Sequence, residues 1–153
     1  MLSESAIKFG TVEVNLNPSP IRDTWILEGN PVARNKVLSS SADGTASTLV
    51  WDCTAGRFNW FYDINETIYV LEGSVVVKDD VRPARRLGAG DTVFFPAGSR
   101  AEWNVEAYVR KIAFCHIPLP RQVLLAKRVY RRLKGIWGNK GAEASGAPAM
   151  FGG

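Results

Sequence analysis

Apolar and polar residues alternate in short runs along most of this chain. Segments rich in Val, Ile, Thr and aromatic residues occur at 10–16, 24–27, 48–52, 57–62, 67–71, 74–78, 91–95, 100–105 and 109–116. Each has the length and composition of a strand. Turn signals separate them, among them Asn17-Pro18-Ser19-Pro20, Asp43-Gly44, Ala55-Gly56 and Gly88-Ala89-Gly90. Many short strands at regular spacing predict an all-β sandwich or barrel. One stretch departs from this pattern. Between Arg121 and Trp137, the residues Ala126, Val129, Tyr130, Leu133, Ile136 and Trp137 recur at three- and four-residue intervals, with Lys127, Arg128, Arg131, Arg132 and Lys134 largely on other faces. That period predicts a basic amphipathic helix, preceded by Pro118 and Pro120 and stopped at Gly138. The expected organisation is a barrel with its N-terminal strands over 1–119, a helix over 120–138 packed on the barrel or a partner, and a glycine- and alanine-rich flexible tail over 139–153.

Composition narrows the class. The 153 residues, 46% of them hydrophobic, suit one domain with one closed core, since a chain this size buries roughly two thirds of its unfolded surface. No stretch approaches the run of about 20 apolar residues that spans a membrane, and the start carries no basic-then-apolar leader. A cytoplasmic location is therefore expected, with Cys53 and Cys115 as free thiols. Charge is unevenly spread. Residues 1–109 carry 10 Lys and Arg against 14 Asp and Glu, and residues 110–153 carry 9 against 1. Outside the basic helix no interleaving of basic and aromatic residues of the kind that stacks bases occurs, so no nucleic-acid partner is expected. Packing of the helix's apolar stripe is favoured over contact with a membrane surface.

Two segments carry the most information: Glu66-Thr67-Ile68-Tyr69-Val70-Leu71-Glu72-Gly73 and Gly90-Asp91-Thr92-Val93-Phe94-Phe95-Pro96-Ala97-Gly98. Both are strands closed by glycine turns, the second ending in a Pro-x-Gly corner. Together they resemble the two motifs of the cupin family. Further segments in order, including Trp25 to Pro31, Trp51 to Phe58, Trp103-Asn104-Val105 and Val109-Arg110-Lys111, are similar to the small cupins grouped with the ureidoglycine aminohydrolase cupin domain and with EutQ. The resemblance covers roughly residues 20–116 and implies a jelly-roll barrel, RmlC-like, with the C-terminal helix appended. A homodimer is expected.

Cupins hold a metal with three histidines and a glutamate, and this chain has one histidine. Anchored on Glu66 and Gly73, the first motif's histidine places fall at Trp60 and Tyr62, or at Asn59 and Phe61 in the alternative register, and the second motif's falls at Ala101. Strand alternation puts Phe58, Trp60 and Tyr62 on one face, with Ala101, Trp103 and Val105 on the ligand face of their own strand. The expected site is an aromatic mouth of Trp51, Phe58, Trp60 and Trp103 around Glu66 and Tyr62. One carboxylate does not meet the donor demand of zinc or iron. No cofactor is expected, apart from a weakly held divalent metal, for which Glu66 and His116 are the candidates. Arg110 and Lys111 are neighbours on a strand and face opposite ways. One of them is expected to reach the interior, where it would pair with Glu66 and offer a hook for an anion.

A carboxylate in an apolar pocket is suited to proton transfer, with a nearby phenol as orienter. The reading is a small-molecule-binding cupin acting as a metal-independent acid–base enzyme (isomerase, lyase or hydrolase) with Glu66 as proton carrier and Tyr62 as partner. Two rivals remain open at this level. One is a Mg- or Mn-assisted aminohydrolase-like or phosphate-transferring cupin. The other is a non-catalytic sensor or assembly module that works through its basic helix.

Overall fold

A computed structural model describes residues 6–142, with side chains to residue 134 in the C-terminal helix. The chain falls into two compact units, one running to Pro118 and the other from Leu119. The first unit is built from β1 (Asn17–Pro18), β2 (Ile26–Gly29), β3 (Ala33–Ser40), β4 (Ala46–Phe61), β5 (Asn65–Lys78), β6 (Arg85–Gly88), β7 (Thr92–Phe95) and β8 (Arg100–His116), with a 3-10 turn at Asp23–Trp25. Every pairing is antiparallel. The order is β1-β3-β4-β8-β5-β6, with β2 on β4 and β7 on β5.

Two long strands carry the architecture. β4 and β8 run side by side from Ala46 opposite His116 to Phe61 opposite Arg100, and β5 flanks β8 on its other edge. Several segments that read as separate strands are therefore single strands bent by irregularities, because a bulge preserves the ladder while turning it. The bulges also set which side chains face in. On β4 the register shifts between Thr54 and Gly56, which changes parity, so that Trp51 and Cys53 share the interior with Phe58 and Tyr62. On β5 a shift between Val70 and Glu72 does the same for Glu66, Ile68 and Val70 on one side and Val75 on the other.

Gly73 illustrates why the motif glycine is needed. Its φ is +72°, and a Cβ there would stand 2.0 Å from the Tyr108 carbonyl oxygen. Only a residue without a side chain lets β5 pass this close to β8.

The strand reading fails in four places, the shortest being β1, whose two residues lie in a predicted turn signal. β3 and β6 are missed because Ala33–Ser40 is mostly polar and Arg85–Gly88 holds a single large apolar residue, Leu87. Both gain their pairing from a neighbour rather than from their own pattern. The segment 10–16 is not a strand. Instead the Arg110 guanidinium donates to the carbonyls of Val12 at 2.8 Å and Val14 at 3.3 Å.

The second unit contains α1 (Arg121–Ala142). It continues past Gly138, where the sequence pattern predicts a stop. Residues 139–142 are thus helical, and the rest of the predicted flexible end, 143–153, lies outside the described residues. Among the described residues no helix is long and apolar enough to cross a membrane.

Candidate functional site

The interior is organised by Lys111. β8 presents Lys111, Ala113 and Cys115 to the core, opposite Val70, Ile68 and Glu66 of β5. The Lys111 ammonium donates to Glu66 Oε1, and the two residues are only 6% and 8% exposed. Burying a charge away from water is costly unless it is paired and hydrogen-bonded. Here the pairing is reinforced: Lys111 Nζ lies 5.1 Å from the Trp51 ring centroid and 4.9 Å from that of Trp103. Two indole faces and one carboxylate enclose the cation.

Around this pair the aromatics pack on one another. Phe58 stacks with Trp103 at 6.2 Å, Trp51 meets Trp103 edge-on at 5.7 Å, and Trp60 meets Trp51 at 6.1 Å and Trp25 at 5.4 Å. Tyr62 stacks on Phe95, centroids 4.4 Å apart, and its hydroxyl accepts a 3.0 Å hydrogen bond from Trp103 Nε1. Burial, reinforced by the Glu66 carboxylate, pushes the Tyr62 phenol well above its usual range, so it is neutral at physiological pH. Burial likewise pushes the Cys115 thiol to about 11 and Cys53 to about 12; both are free. Among the described residues one buried side-chain donor lacks a partner: Trp51 Nε1, on a residue 5% exposed. A buried unpaired N–H costs on the order of 1–3 kcal/mol, a cost that an acceptor brought by water or ligand would relieve.

The structure thus brings together Glu66, Tyr62, Trp51, Phe58, Trp60, Trp103 and Lys111, and separates two candidates from them. Arg110 faces the other side of β8. Beyond its contacts to Val12 and Val14, its guanidinium lies 3.9 Å from Asp52. It is therefore no ligand for the interior, and Lys111 is the inward member of the pair. His116 also faces away. Its register partner is Asn65, whose Nδ2 lies 3.0 Å from His116 Nε2, whereas Glu66 is opposite Cys115. The predicted Glu66–His116 metal pair is not formed.

The aromatic mouth is corrected too: these rings fill the core. A pocket of about 720 Å3 lies elsewhere, with Val77, Leu87, Phe95 and Ala101 in its lining and none of the seven clustered residues.

Sequence reasoning missed Asp52, which is 1% exposed. Its carboxylate accepts from Arg34 Nε at 3.0 Å and from the Tyr108 hydroxyl at 2.9 Å. Asp52 follows inward-facing Trp51, and that parity was the one available signal that it lies on the opposite face of β4. Phe95, the partner of Tyr62, was also missed as a site residue, because its ring is placed by pairing with Glu66 across β5 and β7.

The residues present do not fit a histidine-held metal. The motif positions carry Trp60, Tyr62 and Ala101, and the charge of Glu66 is already met by an ammonium. Among the described residues no three His, Cys, Asp or Glu side chains gather to hold a metal ion.

Comparison with known proteins agrees with this architecture. Residues 40–113 match the EutQ-like cupin domain. A protein of unknown function of the DUF861 family from Pseudomonas syringae pv. tomato str. DC3000 superposes with a TM-score of 0.63 at 27% identity, covering 69% of this chain and 46% of that one. The EutQ protein of Clostridium difficile gives 0.50 at 23% identity, covering 56% and 63%. A protein assigned as ethanolamine utilization protein Q from Salmonella typhimurium LT2 gives 0.51 at 21% identity, covering 70% and 98%. This chain therefore spans less than half the length of the Pseudomonas protein and less than two thirds of the Clostridium one. Among curated proteins none matches.

Proposed function

Because residues 40–113 match the EutQ-like cupin domain, we propose that this protein is a small-molecule-binding cupin in which Lys111 takes the electrostatic place of the family's metal. The observation that carries the proposal is the buried Lys111–Glu66 pair between the faces of Trp51 and Trp103. Glu66 is the one ligand-type residue retained at a motif position, and the cation it holds is an ammonium.

Such a pair supports proton exchange. Lys111 is a proton donor in its charged form, Glu66 an acceptor in its own, and the low dielectric around them strengthens both interactions. Tyr62 is a neutral phenol whose oxygen is fixed by Trp103, so its own O–H can be aimed at a ligand oxygen. The free N–H of Trp51 adds one donor. A ligand would reach these groups only where the packed rings part, and the arrangement favours one offering acceptor oxygens and acid–base chemistry on it, of the isomerase, lyase or hydrolase type, with Arg110 and His116 taking no part. A homodimer in the cytoplasm is the proposed setting.

The test is elemental analysis by mass spectrometry before and after dialysis against chelator, on the wild type and on Glu66→Gln. The proposal expects no stoichiometric transition metal in either protein. Metal that survives dialysis and vanishes in Glu66→Gln would overturn it.

A further inference from the structure

Outside the aromatic interior, the pocket of about 720 Å3 is bounded by the end of β5, the start of β6, β7 and the start of β8. Its floor is apolar: Val77, Leu87, Phe95 and Ala101. Ala101 is the position at which the second cupin motif would carry a histidine, so a small side chain leaves this floor open. The rim is cationic, with Arg82, Arg85 and Arg100 against one carboxylate, Asp79.

That carboxylate is engaged locally. Asp79 Oδ1 accepts the backbone N–H groups of Val81 at 2.8 Å and Arg82 at 2.5 Å, closing the 79–82 turn. Arg100 is held by Asp80. Arg82 and Arg85 have no carboxylate within ion-pair distance among the described residues. Arg85 lies opposite Val77 and two residues before Leu87 on β6. Alternation places it in the same row as these floor residues rather than on the outer face. Two apolar side chains on the lining stand out into solvent as well, Val81 at 90% exposure and Phe94 at 56%.

We infer that this pocket is a binding site for a small anion with an apolar, preferably planar, body, the anionic head held by Arg82 and Arg85 and the body resting on Val77, Leu87, Phe95 and Ala101. Guanidinium groups match carboxylate and phosphate oxygens in fork geometry and are the side chains best suited to hold such a head. A concave, largely apolar wall with a few convergent charges is the usual form of a small-ligand site. None of the seven clustered residues lines the site, although Phe95, which stacks on Tyr62, borders both; a readout that depends on Arg82 and Arg85 tests the site separately from the function proposed above.

The experiment uses the full chain, 15N-labelled, titrated with 2-naphthoate and with 2-naphthamide, which has the same body and no charge. The expected result is saturable movement of amide signals within 81–87 and 92–101 by naphthoate, with naphthamide about tenfold weaker. In the double variant Arg82→Met/Arg85→Met, naphthoate affinity falls about tenfold or more while that of naphthamide is unchanged. An unaltered melting temperature shows that the variant is folded. The inference is overturned if naphthoate moves none of these signals, if it moves only signals of α1, if the two probes bind alike, or if the double variant binds naphthoate as the wild type does.

Discussion

Lys111→Met removes the cation from the core and leaves the Glu66 carboxylate 8% exposed among indole rings. Removing one partner of a buried ion pair costs about 3–5 kcal/mol, because the remaining charge keeps its desolvation cost without compensation. For a cooperative unit of this size that corresponds to a fall in Tm of roughly 10–15 °C. The complementary variant Glu66→Leu is expected to cost a similar amount, since it strands the ammonium. Lys111→Met/Glu66→Leu, with both charges replaced by apolar groups of comparable volume, is expected to recover to within about 2 kcal/mol of the wild type. Urea unfolding followed by tryptophan fluorescence measures all four corners of the cycle, and a coupling energy of at least about 2 kcal/mol is expected. If Lys111→Met costs less than about 1 kcal/mol, the pair is behaving as a solvent-screened surface pair, and the interior described above is wrong.

Three further outcomes follow from the same structure. Each buried thiol holds its proton in the folded state above its ordinary value of 9.0, up to about 11 for Cys115 and about 12 for Cys53. The folded state thus binds more protons than the unfolded one at alkaline pH, and stability is full below about pH 9 and is lost as pH rises towards 11. The loss is about 1.4 kcal/mol per pH unit for each thiol; Cys53→Ala should remove one thiol's share of that slope in denaturation measured from pH 8 to 11. Gly73→Ala combines a positive φ with a 2.0 Å clash against the Tyr108 carbonyl oxygen, so it should destabilise by several kcal/mol, whereas Gly88→Ala, which meets nothing within 4 Å, should shift the melting temperature by no more than a few degrees. Truncation after Pro118 is expected to leave the barrel folded, because the two units are compact by themselves; circular dichroism of the shortened protein showing loss of the strand spectrum would refute this.

The sequence by itself determined the fold class and the identity of the clustered side chains. Alternation along Phe58, Trp60 and Tyr62, the glycines at 73 and 98, and the absence of histidine at 60, 62 and 101 are local facts, and local facts survive folding. Strand existence was equally legible wherever the strand's own pattern carried it. β3 and β6 escaped because each buries a single side chain, Ala33 and Leu87, too few to write a pattern, and their order comes from hydrogen bonds to β4 and β5.

What only the tertiary structure decided was parity and space. Whether Arg110 or Lys111 faces inward depends on the ladder that β8 forms with β4 and β5, and whether Trp51 joins the core depends on one bulge at Thr54–Gly56. A single inserted residue reverses every side chain beyond it, and no local preference in the sequence records such an insertion. Space is likewise collective. The aromatics expected to line a mouth fill the interior, and the open volume lies beside Ala101, whose small side chain leaves room.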